Sequence, residues 1–234
     1  MQRIIIIGAT SGIGRALAKF YAGAGNRVGI AGRREELLES LCAEQPDRFV
    51  SRRLDVTEIE TVSEKLDELT DELGGLDLLV ISSGTGELNP TLDFGVERTT
   101  LETNVLGFSA VADWAYRYFE EQRVGHLVAI TSLAALLGEA KAPAYNASKA
   151  FQANYTEALR SRAKRGSCKI TLTEIRPGFV DTDMAKGDGK FWVAPVEKAA
   201  KQIARAIQKR RKIAYITKRW RLIGFVLRLL KIFE

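Results

Sequence analysis

Short apolar segments alternate along the chain with segments whose hydrophobic residues recur at helical spacing. The apolar segments are rich in β-branched residues, which is typical of strands that are buried on both faces of a parallel sheet. We predict strands at residues 4–7, 28–31, 49–54, 76–81, 126–131, 170–175 and 213–216.

The segments between these strands are predicted to be helices. From Val62 to Leu73, valine or leucine returns after four, three and four residues, so these side chains line one helix face. Strand and helix in this repeated order predict an α/β fold, a Rossmann-type doubly wound parallel β-sheet flanked by helices on both faces. Because no linker interrupts the pattern, we predict a single domain over residues 1–217 and a C-terminal helix over residues 218–234.

The composition is that of a folded globular protein. Hydrophobic residues make up 46% of the chain and charged residues 27%, which argues against a disordered protein. No run of about 20 apolar residues occurs and the first residues do not resemble an export signal, so we expect neither a membrane span nor a leader. Cys42 and Cys168 are too few for a disulfide framework, which favours a reducing, cytoplasmic environment. His126 is the only histidine, and we predict no metal site.

The net charge of +6 arises mainly near the C-terminus, where residues 201–234 contain eleven Lys or Arg and one acidic residue. As a helix, residues 218–234 have a broad apolar face that includes Trp220, Phe225 and Leu229. The narrow polar stripe beside it consists of Arg221, Gly224, Arg228 and Lys231. Such a basic amphipathic helix suits peripheral contact with the inner face of a membrane. Packing against a second subunit is the alternative.

A glycine-rich turn follows the first strand and opens into a helix. Its sequence is Gly8-Ala9-Thr10-Ser11-Gly12-Ile13-Gly14. Glycines let a pyrophosphate approach bare backbone, and the helix N-terminus supplies free N–H groups and a positive dipole end. After the first strand of a βαβ unit, this turn predicts a dinucleotide site.

The second strand ends in Ala31-Gly32-Arg33-Arg34. A dinucleotide without a 2′-phosphate would favour an acidic residue here, whereas arginine offers a bidentate clamp for phosphate. We therefore predict NADP as the cofactor, with Arg33 as the main contact to its 2′-phosphate. The alternative is a solvated arginine pair at a helix start.

Three side chains that are suited to proton transfer follow the fifth strand. Ser132 ends that strand, and Tyr145 and Lys149 are four residues apart, which places them on one helix face. A phenol titrates near 10, and a neighbouring cation lowers that pKa.

These motifs occur together with Asp55-Val56 after the third strand, Asn104, and Pro177-Gly178 after the sixth strand. In this combination, the chain from Ile4 to about Ile216 resembles the short-chain dehydrogenase/reductase family. Two departures stand out. Ile7 replaces the usual threonine before the first glycine, and Ile81-Ser82-Ser83-Gly84 replaces the usual Asn-Asn-Ala-Gly.

The resemblance implies a catalytic tetrad. Tyr145 would be the proton donor in reduction, and Lys149 would lower the pKa of that tyrosine and hold the ribose hydroxyls. Ser132 would bind the substrate oxygen, and Asn104 would anchor a water that links Lys149 to solvent.

The resemblance also implies the cofactor contacts. Asp55 and Val56 would meet the adenine, and Ser83-Gly84 the adjacent ribose. Four residues after the sixth strand would frame the nicotinamide, namely Pro177, Gly178, Val180 and Thr182.

We therefore expect an NADP(H)-dependent oxidoreductase that acts between a carbonyl and an alcohol, with a homodimeric or homotetrameric state implied by the resemblance. The segment Ala185–Ala194 is predicted to be a substrate lid, and its Phe191 and Trp192 favour an apolar or lipid-like ketone or aldehyde. The alternative is a catalytically silent NADP-binding regulator or scaffold, against which the complete tetrad argues. Charge alone would suggest nucleic acid, but no recognition motif accompanies it, so we expect no such partner.

Overall fold

A computed structural model describes residues 1–184 and 191–230. Seven strands form one sheet in which every pair of neighbours is parallel. The strands are β1 (Arg3–Ile7), β2 (Arg27–Gly32), β3 (Phe49–Arg53), β4 (Leu78–Ile81), β5 (Val124–Ile130), β6 (Lys169–Pro177) and β7 (Ile213–Ile216). Their spatial order is β3-β2-β1-β4-β5-β6-β7, which confirms the predicted doubly wound sheet.

Helices cover both faces of the sheet, as predicted. They are α1 (Gly12–Gly23), α2 (Glu35–Glu44), α3 (Ile59–Leu73), α4 (Phe94–Leu101), α5 (Phe108–Glu121), α6 (Pro143–Arg165), α7 (Val196–Gln208) and α8 (Trp220–Leu230). In β1, Ile4 and Ile6 pack into the core formed with α1, α2 and α7, whereas Ile5 and Ile7 pack into the core with α3 and α5. A strand buried on both faces has no polar side, which explains its uninterrupted apolar sequence.

The order of the strands reverses direction at β1. Sequence neighbours extend from β1 through β2 to β3 on one side, whereas β4 follows on the other side. In open α/β sheets, the crevice at the carboxyl ends of the strands beside such a switch point is the usual ligand site. The glycine turn after β1 and the residues after β4 lie at this crevice.

The fourth strand is shorter than predicted, since it was expected to begin at Leu76 and begins at Leu78. The intervening Asp77 forms an ion pair with Arg3, in which Nη2 of Arg3 lies 2.7 Å from Oδ1 of Asp77. The backbone N–H of Arg3 also donates to Oδ2 of Asp77. Leu76 is nevertheless fully buried. A buried apolar residue next to a strand looks the same in the sequence as a strand residue, so Leu76 was predicted as part of β4.

The C-terminal helix α8 begins at Trp220, two residues later than predicted, and residues 231–234 lie outside the described residues. Trp220 is buried against Leu133 and Leu136, and a Cβ at Gly224 would lie 2.5 Å from the ring of Tyr215. One side of α8 is thus packed onto the domain, which corrects the assignment of Trp220 to an outward apolar face. Within the described residues, no helix has the length and apolarity that crossing a membrane requires.

Candidate active site

The glycine turn has the backbone shape that a phosphate-binding loop needs. Gly8 and Gly12 have φ angles of +83° and +53°, which side-chain-bearing residues rarely adopt. A Cβ at Gly14 would overlap the carbonyl oxygen of Gly8, so the start of α1 can approach the turn closely only with glycine there. Ser11 caps α1 in an extended conformation without a side-chain bond to the helix, which leaves the first N–H groups open to a ligand.

The two arginines after β2 differ in their surroundings. Arg34 Nη2 donates to Thr10 Oγ1 and to Ser11 Oγ, both at 2.8 Å, so it braces the glycine turn. Both arginines are exposed, and no hydrogen bond or ion pair with another described residue involves the side chain of Arg33. Sequence reasoning singled out Arg33 and assigned no role to Arg34. The signal for Arg34 was only its position next to Arg33.

Asp55 and Val56, which are predicted to meet the adenine, follow the end of β3. Asp55 Oδ1 accepts hydrogen bonds from the backbone N–H and the hydroxyl of Thr57, at 3.0 and 2.8 Å, which orders the entry to α3. Val56 is buried, and a Cβ at Gly107 would lie 2.7 Å from its side chain. Thr57 and Gly107 are therefore supporting residues that sequence reasoning missed.

Ser83 and Gly84 follow β4 and lie between the glycine turn and the reactive side chains. A Cβ at Gly8 would lie 2.5 Å from Ser83 N, and one at Gly84 would lie 3.2 Å from Lys149 Nζ. The Ser83 hydroxyl is buried, and no group among the described residues bonds to it. A buried hydroxyl without a partner beside a glycine cradle suits the oxygen-rich backbone of a dinucleotide. The change from the family's Asn-Asn-Ala-Gly leaves the strand end braced, because Ser82 N–H donates to Ile7 O at 2.9 Å.

Asn104 lies in a π-helical turn, Glu102–Gly107, between α4 and α5. Its buried side chain donates to Thr85 O at 2.7 Å and to Ser148 Oγ at 3.0 Å, and it accepts from Thr85 N at 2.9 Å. π-Turns often mark functional sites because they displace a side chain from the regular helical face. Here the side chain of Asn104 ties the segment after β4 to α6.

The backbone carbonyl of Asn104 is connected to Lys149 through a side chain. It accepts a hydrogen bond of 2.9 Å from Gln152 Nε2, and Gln152 Oε1 accepts one of 3.0 Å from Lys149 Nζ. The water relay that the resemblance implies stays a prediction. Sequence reasoning missed Gln152, although its position three residues after Lys149 placed it on the same helix face.

Ser132 and Tyr145 meet at the carboxyl end of β5. The hydroxyl of Tyr145 is hydrogen-bonded to the side chain of Ser132, whose Oγ also accepts from Ala134 N at 3.1 Å. The ring of Tyr145 lies against Gly86, where a Cβ would overlap it. Because Gly86 has no side chain, it leaves the space that the ring of Tyr145 occupies.

The titration of Tyr145 and Lys149 is governed by burial. Burial raises the pKa of Tyr145, and the hydrogen bond to Ser132 only partly opposes this. The Lys149 ammonium lies 5.8 Å from the centroid of the Tyr145 ring, and the lowering of the tyrosine pKa by this lysine stays a prediction. Burial lowers the pKa of Lys149 to about 8.

The segment after β6 returns to the glycine turn. Pro177 ends β6, Gly178 N–H donates to Ile216 O at 2.7 Å, and a Cβ at Gly178 would overlap the ring of Trp220. Val180 is buried, and the methyl carbon of Thr182 would lie 3.2 Å from a Cβ at Gly12. Of the predicted nicotinamide residues, Thr182 therefore lies beside the glycine turn, and Gly178 lies against Trp220.

Four aromatic rings form a cluster beside Gly178. Trp220 lies 5.6 Å from Phe179, 5.0 Å from Phe191 and 5.6 Å from Trp192, measured between ring centroids. Residues 185–190 of the predicted lid lie outside the described residues. Phe179 and Trp220 are parts of this cluster that sequence reasoning did not connect with the site.

The glycine turn and the buried Ser83 hydroxyl beside it suit a dinucleotide. Among the described residues, no group of three or more His, Cys, Asp or Glu is arranged to hold a metal ion. His126 lies inside the sheet, with Nε2 2.8 Å from Thr173 Oγ1, and burial lowers its pKa to about 4.

The family model for short chain dehydrogenases matches residues 2–191. The chain belongs to the short-chain dehydrogenase/reductase family. A protein of Myxococcus xanthus, named as an oxidoreductase, is 37% identical over 185 residues, which are 77% of this chain and 72% of that protein. Membership identifies the chain as an oxidoreductase that uses a nicotinamide cofactor and a small-molecule substrate.

Two solved structures of dehydrogenases are similar to this one. A short-chain dehydrogenase from Streptomyces avermitilis has a TM-score of 0.85 at 24% identity, with 99% of this chain and 92% of that chain covered. A closed serine dehydrogenase in complex with NADP+ has a TM-score of 0.79 at 25% identity, with 87% of this chain and 88% of that chain covered. These likenesses extend the fold agreement beyond the matched family segment.

Proposed function

We propose that this short-chain dehydrogenase/reductase is an NADP(H)-dependent reductase of a ketone or aldehyde. The observation that carries the proposal is the meeting of Tyr145, Ser132 and Lys149 at one end of the crevice that begins at the glycine turn. A proton donor, an oxygen-binding hydroxyl and a buried cation beside a dinucleotide crevice are the groups that carbonyl reduction needs.

Each side chain has a distinct part in this proposal. The bound nicotinamide would supply the hydride. Tyr145 would donate its proton to the substrate oxygen, and Ser132 would donate a hydrogen bond to that oxygen as negative charge develops. Lys149 would hold the nicotinamide ribose, and Asn104 would keep the segment after β4 in place for it. The four residues Asn104, Ser132, Tyr145 and Lys149 form the proposed catalytic tetrad.

The remaining proposed cofactor contacts follow the crevice from end to end. They are Gly8, Thr10, Ser11, Gly12, Ile13, Gly14, Arg33, Asp55, Val56, Ser83, Gly84, Pro177, Gly178, Val180 and Thr182. The choice of NADP rests on the arginines after β2 and on the NADP+ in the similar serine dehydrogenase structure. Because Arg34 already braces Thr10 and Ser11, we assign the 2′-phosphate to the exposed Arg33.

Replacement of Arg33 by alanine is expected to weaken NADPH binding while NADH binding stays nearly unchanged. A charge-assisted phosphate contact contributes about 1.5–3 kcal/mol, which corresponds to a loss of about tenfold or more. Arg34→Ala is the matched comparison and is expected to weaken both cofactors, since it releases the turn. Fluorescence titration measures both constants. Equal losses of NADPH and NADH in Arg33→Ala would make Arg33 a structural residue.

The aromatic cluster supports an apolar or lipid-like substrate. Phe191 and Trp192 are 49% and 41% exposed although both pack against the buried Trp220. Exposed rings on a buried aromatic base next to Gly178 offer apolar area to a substrate at the crevice. A screen of ketones and aldehydes of increasing chain length, followed by NADPH absorbance, tests the proposal. Turnover that rises with chain length is expected, and turnover of small polar carbonyls alone would contradict it.

A catalytically silent NADP-binding regulator is the second candidate. A regulator needs only the nucleotide contacts, whereas this chain also brings Tyr145 and Ser132 into hydrogen-bonding contact. Tight NADPH binding without turnover of any carbonyl in the screen would favour the regulator.

We also propose a homodimer or homotetramer located in the cytoplasm, where Cys42 and Cys168 would remain free thiols as they are here.

Peripheral membrane contact is proposed for the surface formed by α8 and the groove beside it. A groove of about 770 Å³ between α7, β7 and α8 is lined by five cationic residues. They are Arg205, Lys209, Arg211, Lys218 and Arg221.

The outward side of α8 adjoins this groove and is apolar. Leu222, Phe225 and Val226 are 65%, 60% and 44% exposed, next to the exposed Arg221. Cations beside exposed apolar side chains are complementary to an anionic lipid surface. The same cations would face like charges across a second copy placed on the groove, so we assign the surface to lipid.

Flotation with vesicles tests this surface. The intact chain is expected to float with anionic vesicles and less so with neutral ones or at high salt, whereas a chain ending at Thr217 remains unbound. Because α8 packs onto the domain, a full-length Leu222→Ser/Phe225→Ser variant is the folded control and is also expected to lose binding. If the intact chain does not float and the variants split the oligomer, α8 is a subunit contact.

A further inference from the structure

Gln152 connects two members of the proposed tetrad, Lys149 and Asn104, although it is no member of it. It lies on α6 three residues after Lys149 and is 1% exposed. Its amide spans the space between the Lys149 ammonium and the backbone of the π-turn at Asn104. The catalytic consequence of this arrangement rests on the proposed function, whereas its structural consequence does not.

The orientation of the Gln152 amide is set by its neighbours. An ammonium can only donate and a backbone carbonyl can only accept, so Oε1 must face Lys149 and Nε2 must face Asn104 O. These two hydrogen bonds are 3.0 and 2.9 Å long. The reversed amide would place its NH2 group against the Lys149 ammonium and its oxygen against the Asn104 carbonyl oxygen.

The hydrogen bonds of the Lys149 ammonium leave one of its N–H donors for a ligand. An ammonium has three N–H donors. One is taken by Gln152, and a second reaches Ile130 O at 3.4 Å. Nζ also lies 3.2 Å from the position of a Cβ at Gly84, on the crevice side. The remaining donor is thus available to a ligand hydroxyl beside Gly84.

We propose that Gln152 is a positioning residue, which fixes the Lys149 ammonium toward the cofactor crevice. Its carboxamide accepts from the Lys149 ammonium at one end and donates to the Asn104 carbonyl at the other. The position of the ammonium is therefore tied to the π-turn at Asn104.

The same carbonyl also stabilises the charged form of Lys149. Burial lowers the pKa of this lysine, and a hydrogen bond to the ammonium opposes that effect. Tyr145 is the titratable group among the described contacts of Lys149, whereas Asn104, Ile130, Gln152 and Gly84 present uncharged atoms. Loss of the Gln152 carbonyl should lower the pKa of Lys149 further, and a carboxylate in its place should raise it.

The test is an NMR titration of the lysine side chains in the cofactor-free full chain, with Lys149→Met identifying the signal. Gln152→Leu is expected to lower the pKa of Lys149 by about one or more, and Gln152→Glu to raise it. Thr156→Val is the matched control, because Thr156 donates to the backbone of Gln152 at 2.7 Å without contacting Lys149. A purely structural role would not move the pKa in opposite directions in the two variants.

Kinetics supply the second readout. At saturating NADPH, Gln152→Leu is expected to lower kcat about tenfold and to shift the alkaline limb of kcat/KM to lower pH, while Gln152→Glu keeps that limb at or above its normal pH. An unchanged Lys149 titration in both folded variants would overturn the proposal. If the titration shifts as expected but the unmodified chain reduces no carbonyl, the proposed function fails and the role of Gln152 stands.

Discussion

Tyr145→Phe is expected to lower turnover by about a hundredfold to ten-thousandfold, because the variant loses the proposed proton donor. The ring stays packed against Gly86, and the phenylalanine lacks only the hydroxyl that meets Ser132. NADPH affinity should therefore change little. Steady-state rates with any carbonyl that the unmodified chain reduces, together with NADPH titration, measure both quantities.

Tyr155→Phe provides the matched control on the same helix. Tyr155 donates to Asp113 Oδ1 at 2.6 Å and faces the core with α5, away from the crevice. Its variant should keep turnover within a small factor of the unmodified chain. Near-normal rates in Tyr145→Phe, or equal losses in both variants, would contradict the assignment of Tyr145 as the acid.

Arg176→Met is expected to reduce the free energy of unfolding by about 3–5 kcal/mol. Arg176 and Glu174 form an ion pair of 2.6 Å in β6, with side chains only 7% and 2% exposed. Removal of the arginine leaves a buried carboxylate that keeps the hydrogen bond from the hydroxyl of Thr131, at 3.0 Å, and the weaker charge interaction with Arg160. Urea unfolding followed by circular dichroism measures the loss.

Two comparisons separate a buried charge from a lost contact. Arg162→Met breaks an exposed pair with Glu120, whose side chains are 64% and 42% exposed, and should cost far less stability than Arg176→Met. The double variant Glu174→Leu/Arg176→Met removes both charges and should recover part of the stability. A small loss in Arg176→Met, similar to that in Arg162→Met, would show that the pair is well hydrated.

The sheet and the reactive residues could be predicted because each leaves a local signal. A strand buried on both faces must be apolar throughout, as β1 is, and a turn with positive φ must contain glycine, as at Gly8 and Gly12. Tyr145 and Lys149 are on one helix, so their spacing alone brings them together.

Other parts of the site depend on where distant segments meet, which spacing does not reveal. Gln152 has its role only because the π-turn brings Asn104 O to α6. Trp220 reaches Gly178 only because α8 folds back across β7. Its indole therefore looked like part of an outward apolar face in the sequence, whereas it forms the buried base of the aromatic cluster.

The two arginines after β2 show a finer limit of sequence reasoning. Arg33 and Arg34 lie between the end of β2 at Gly32 and the start of α2 at Glu35. The sequence places Arg33 and Arg34 together, but the exact end of the strand decides which of them faces Thr10 and Ser11. The pattern therefore predicts cationic side chains at the crevice, but it does not show which arginine braces the glycine turn and which is left to contact a phosphate.

Isotope transfer tests the central proposal, carbonyl reduction with NADPH, most directly. The full chain is incubated with NADPH carrying two deuterium atoms at the nicotinamide C4 and with each carbonyl of the screen, and products are analysed by mass spectrometry. We predict an alcohol with one deuterium on the former carbonyl carbon, and none in Tyr145→Phe over the same time. Tight NADPH binding without a deuterated alcohol from any carbonyl would contradict carbonyl reduction.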